Sequence, residues 1–90
     1  MSYNLFSGLK PQLRGESPVI ALMSDNKREY VEITIGKHKK DFDFLSVIEI
    51  LRDMGAIRRG GEIDINRVRD KVVDFVNELI ILEQTVQIIN

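Results

Sequence analysis

The sequence predicts an α+β fold, an N-terminal β-hairpin followed by two helices. The C-terminal helix is long and heptad-patterned, with a possible short second hairpin between the helices. Three observations carry this expectation. Two short β-type runs stand side by side near the start of the chain. A 3.6-residue apolar period follows them. From Ile65 to Ile89 the residues Ile65, Val68, Val72, Phe75, Leu79, Leu82, Val86 and Ile89 then recur at alternating steps of three and four, the a and d positions of a heptad repeat.

Residues 1–16 lack a period. Leu5, Phe6, Leu9 and Leu13 are apolar, but Gly8, Pro11 and Gly15 interrupt any regular element. This stretch reads as an irregular arm that packs on its own subunit or on a neighbour. Residues 17–90 read as a single domain that ends in an oligomerisation helix, residues 65–89.

After Pro18, Val19-Ile20-Ala21-Leu22-Met23 is an unbroken apolar run, the pattern of a strand buried on both faces. Residues 24–28 are rich in turn formers. Tyr30 to Ile35 then alternates, with Val31, Ile33 and Ile35 on one face and Tyr30, Glu32 and Thr34 on the other. The two runs make a hairpin that Gly36 closes. Lys37-His38-Lys39-Lys40 reads as a basic loop, and Asp41 to Asp43 as the lead into a helix. That helix carries Phe44, Val47, Ile48, Leu51 and Met54 at helical spacing. Asp43 can cap it, in competition with a Ser46–Glu49 capping box, and Gly55 is a good left-handed terminator. Residues 56–64 read in two ways: a tiny hairpin with Gly60-Gly61 as a two-residue loop, or a loop that tucks Ile57 and Ile63 inward. Asp64 or Asn66 then caps the long helix.

That helix decides the functional expectation. Its 25 residues would span roughly 38 Å, against a radius of gyration of about 12 Å for a compact chain of this length. Asp70, Asn77 and Gln84 face outward, and Arg69, Lys71, Glu78 and Glu83 suit a solvated border. Yet Val73, Val76, Ile80, Ile81 and Ile88 fall outside the seam, so the helix is apolar nearly all round near Leu79 to Leu82. Such a helix needs cover on several sides. Two strands alone also make a poor sheet. A second copy of the chain supplies both, with Val72, Phe75, Leu79, Leu82 and Val86 as the expected dimer interface.

Ninety residues form one domain with a small core. The apolar fraction of 43 % and charged fraction of 30 % are those of a folded soluble protein, and a net charge of −1 gives no general attraction to nucleic acid or anionic membrane. The absence of cysteine excludes disulfides, thiolate metal sites and cysteine nucleophiles. No apolar run is long enough for an export signal or a membrane span, so a cytoplasmic setting is expected. Small size and lack of cysteine suggest a prokaryotic or viral source.

No constellation points to catalysis, and no catalytic, cofactor-binding or metal-ligating residues are assigned. The single histidine, His38, sits among lysines without a nucleophile motif beside it. Asp41, Asp43, Glu62 and Asp64 lie at element ends, where capping and solvation account for them. Gly60-Gly61 after Arg58-Arg59 lacks the spacing of a phosphate-binding loop. The expectation is a non-enzymatic, homodimeric interaction or regulatory protein without a cofactor. The alternative is a nucleic-acid-binding regulator that gathers Lys39, Lys40, Arg58 and Arg59 into a basic patch across a dimer. Against it, no aromatic residues for base stacking are interleaved with the basic runs.

Overall fold

The computed structural model describes residues 16–89, with side chains described up to residue 84. The expected N-terminal arm therefore lies almost wholly outside the described residues, as does the side chain of Val86. Three strands form an antiparallel meander, β1 (Val19–Ser24), β2 (Glu29–Ile35) and β3 (His38–Asp43), in the spatial order β1-β2-β3. Helix α1 (Phe44–Asp53) follows, then α2 (Ile65–Asp70) and α3 (Val72–Ile89). The class is α+β as expected, with a three-stranded sheet in place of the hairpin.

The added strand comes from the basic run. Ile35 pairs with His38 and Tyr30 with Asp43, so Gly36-Lys37 is a two-residue hairpin loop. Gly36 has φ +61 and Lys37, like every other described non-glycine residue, does not have positive φ, which is the pattern of a type II′ turn with glycine in its first central position. His38 is thus a half-buried strand residue rather than a solvated loop residue. The alternation along β3 is masked in the sequence because Lys40 stands where an apolar residue would mark the inner face.

In the other hairpin, Asp25 fixes the turn. Its Oδ1 accepts from the backbone N–H of Lys27 at 2.9 Å and of Arg28 at 3.1 Å, and its own N–H donates to the Arg28 carbonyl at 3.0 Å. Those two N–H donors hold its carboxyl below the usual carboxylate range.

The core lies between one face of the sheet and the helices. Val31, Ile33 and Ile35 of β2 and Phe42 of β3 meet Val47 and Leu51 of α1, Val68 of α2, and Val72, Phe75, Val76 and Leu79 of α3. A fully buried side chain of this kind contributes about 1.5–3 kcal/mol relative to its exposed state. Asp43 caps α1, its Oδ2 accepting from both the N–H and the hydroxyl of Ser46 at 3.1 Å. The competing Ser46–Glu49 box is not used. At the other end, Ala56 N–H donates to the Leu51 carbonyl at 2.8 Å and Gly55 N–H to that of Arg52 at 3.0 Å. With Gly55 at φ +75 this is a Schellman ending, and it delivers Ala56 into the core.

Residues 56–64 form the loop that tucks Ile57 and Ile63 inward, and the hairpin with a two-residue Gly60-Gly61 loop is not formed. Ile57 and Ile63 form a single antiparallel bridge and both pack against the core. The loop is longer by one residue than expected. Arg58 N–H donates to the Glu62 carbonyl and Gly61 N–H to the Arg58 carbonyl, both at 2.8 Å. Gly61, at φ +88, closes the three-residue loop Arg59-Gly60-Gly61. Asp64, not Asn66, caps α2, its Oδ1 accepting from the Arg67 N–H at 3.3 Å.

The expected continuous helix from Ile65 is divided at Lys71, whose φ of −118 and ψ of 35 leave the helical range. The buried stripe of α3 is also not the heptad seam. Val72, Val76, Leu79 and Glu83 are buried with Phe75, at steps of four, three and four. The stripe that faces the globular core keeps Val72, Phe75 and Leu79 and adds Val76 and Glu83, so it is wider than the expected seam and turned to one side of it. In its last described turn Glu83 is buried while the neighbouring seam position Leu82 is only half-buried. The expectation that Glu83 borders solvent is corrected accordingly.

Candidate interaction surface

β1 differs from its expected burial most of all. Val19 is 61 % exposed and Leu22 59 %, and Met23 is also exposed. Among the described residues, the run read as a doubly buried strand is an edge strand. Register explains this. With β3 in the sheet, β2 takes the central place and is covered by both neighbours. Helix α1 lies over β2 and β3, which leaves both faces of β1 poorly covered. Val19, Ala21 and Met23 share the outer face with Thr34, Glu32 and Tyr30, their register partners, while Ile20 and Leu22 share the helix-side face with Ile33 and Val31.

The two edges of the sheet have opposite chemistry. β3 carries Lys39, Lys40, Asp41 and Asp43, and charge on an edge strand blocks pairing with another chain. β1 reads Val-Ile-Ala-Leu-Met-Ser, with no charge and no proline within it. It is an uncharged, exposed edge with apolar side chains on both faces.

Of the residues expected at a dimer seam, Val72, Phe75 and Leu79 lie inside the chain's own core. Leu82 is half-buried beside them. On α3 the exposed apolar residues among those described are Val73 and Ile81, the latter 54 % exposed.

The basic residues considered for nucleic acid are dispersed. Strand alternation sends Lys39 and Lys40 to opposite faces of the sheet. The Lys39 ammonium is 3.9 Å from the Glu32 carboxylate on the outer face, and Lys40 reaches the Glu83 carboxylate at 3.8 Å on the helix side. Arg58 is 3.7 Å from Asp64, and Arg59 is exposed at the tip of its loop.

Beside the Lys40–Glu83 pair lies a cleft of about 300 Å³ walled by Arg28, Tyr30, Phe42 and Leu82, with the Arg28 guanidinium carbon 5.2 Å from the centre of the Tyr30 ring. Glu83 is the residue that sequence reasoning missed here. Its signal was the 72-76-79-83 spacing, which competes with the heptad over the same residues. Among the described residues, no group of three histidine or acidic side chains is placed to hold a metal ion, and no helix is long and apolar enough to cross a membrane. No protein-family model, curated protein or solved structure matches this chain.

Proposed function

We propose that the chain is a small non-enzymatic module that works by protein–protein contact and associates with itself. The observation that carries this reading is β1. An edge strand that is uncharged, unbroken by proline and exposed on both faces is a template for another strand. Proteins commonly block such an edge with charge, as this one does at β3 but not at β1. The exposed apolar residues of α3, Val73 and Ile81, offer further surface for a partner of either kind.

Sedimentation equilibrium on the wild-type protein tests the reading. The apparent mass should rise with concentration from the 10.4 kDa of one chain toward twice that value. A constant single-chain mass up to about 1 mM, where even a binding free energy near −4 kcal/mol would register, overturns self-association.

A further inference from the structure

The hydrogen-bonding phase of β1 can be read from its turn. Asp25 N–H donates to the Arg28 carbonyl, which makes 25/28 a hydrogen-bonded pair site. Such sites alternate along an antiparallel ladder. Followed through the register from Ser24↔Glu29 to Val19↔Thr34, the backbone groups of Met23, Ala21 and Val19 turn toward β2. Those of Ser24, Leu22 and Ile20 turn outward, to the free edge.

We propose that β1 pairs antiparallel with β1 of a second copy about a two-fold axis at Leu22, joining the two sheets into one continuous sheet. The proposal rests on the self-association reading above and adds to it the surface, the direction and the register. With the axis at Leu22, Leu22 exchanges both backbone hydrogen bonds with its symmetry mate, and Ile20 does so with Ser24 of the other copy. Every outward N–H and C=O of the strand then has a partner.

Other registers do worse for reasons in the sequence. An axis at Ile20 or Ala21 brings Pro18 into the ladder, where it has no N–H to give. An axis at Met23 or Ser24 runs the ladder into Asn26, within the turn that Asp25 organises. Side chains agree with the backbone. Leu22 of each copy lies against the other on the helix side, and Ala21 meets Met23 on the outer face, with no charge within the strand to repel its own image.

A second copy meets the self-complementarity that an isologous contact requires, since the strand is uncharged and the axis sets Leu22 against Leu22 and Ala21 against Met23. The strip is small. A strand of this length covers roughly 20 Å, and its contact falls short of the ~800 Å² per partner of a standard interface. The dimer is therefore weak and concentration-dependent.

The absence of cysteine makes cross-linking a clean test. Leu22→Cys and Val19→Cys are prepared in the full chain, both at exposed positions, with circular dichroism to verify folding. The thiols are oxidised mildly at concentrations where the wild type is examined by sedimentation. At the axis the two Cα atoms lie about 5.5 Å apart, within disulfide reach, whereas the two copies of residue 19 are separated by roughly 20 Å. A covalent dimer from L22C and none from V19C is the expected result. Equal cross-linking of both variants, or preferential cross-linking of V19C, overturns the register. No cross-link from L22C while the wild type sediments as a dimer overturns the edge pairing but leaves self-association standing. No cross-link with a single-chain mass overturns both, and is the outcome if residues 1–15 of the same chain occupy the edge instead.

Discussion

The Lys40 ammonium of β3 lies 3.8 Å from the Glu83 carboxylate of α3, whose side chain is only 2 % exposed. The pair ties the sheet to the last helix from a strand position that faces the core. The two partners differ in burial, since the Lys40 side chain is 36 % exposed and can turn to water. Removing the lysine takes a cation away from a buried carboxylate, whereas removing the carboxylate releases a cation into solvent.

Lys40→Met should therefore cost about 1–3 kcal/mol, the penalty for leaving a buried polar group with a partner removed. Glu83→Leu should lie within ~1 kcal/mol of the wild type, because an apolar residue of similar size often replaces a buried ion-pair member at little cost. Urea unfolding of both variants checks the order. Equal losses would mean that burial of Glu83 does not govern the pair.

Gly55→Ala should destabilise the protein by about 1 kcal/mol. Nothing lies within 4 Å of a Cβ added there, so the loss comes from the left-handed backbone at φ +75. Gly60→Ala meets open space at a residue without positive φ and should be nearly neutral. Thermal unfolding of the two variants separates backbone strain from steric crowding.

Phe75→Ala removes a fully buried ring and should cost about 3–5 kcal/mol. Ile81→Ala on the exposed side of the same helix should change stability by less than ~0.5 kcal/mol. Similar losses at both positions, measured by chemical denaturation, would place the buried stripe of α3 elsewhere.

The Asp25 turn gives a pH dependence of known sign. Its folded pKa lies below the 3.8 of an unperturbed aspartate, so the unfolded chain binds the proton more tightly. The stabilisation is complete above that value and is lost as the pH falls below it through the folded pKa. In Asp25→Ala this component should be missing from the acid limb of the unfolding profile. An unchanged profile below pH 3.8 would contradict the hydrogen bonds at the turn.

How far the sequence could be read depended on what each residue had to signal. The alternation of Tyr30 to Ile35 and the caps at Asp43, Gly55 and Asp64 were legible, because local backbone chemistry determines them. β3 was not, since Lys40 occupies an inward position and its charge is accounted for only by Glu83, far along the chain. Once β3 was missed, β1 had no assigned place in a sheet. An uncharged run such as Val19 to Met23 reads the same in a buried central strand as in an exposed edge. In α3, the expected seam and the buried stripe share Val72, Phe75 and Leu79 and separate at Val76, Leu82 and Glu83. The pattern therefore looked like a seam between chains when much of it is core within one.

The most direct measurement of the edge-strand account is amide hydrogen exchange by nuclear magnetic resonance across a range of protein concentrations. Val19, Ala21 and Met23, bonded to β2, should be protected at every concentration. Ile20, Leu22 and Ser24 should exchange quickly in dilute solution and become protected as concentration rises, Leu22 with them at the centre. Rates at these three amides that do not change with concentration would contradict pairing of β1 with a second copy.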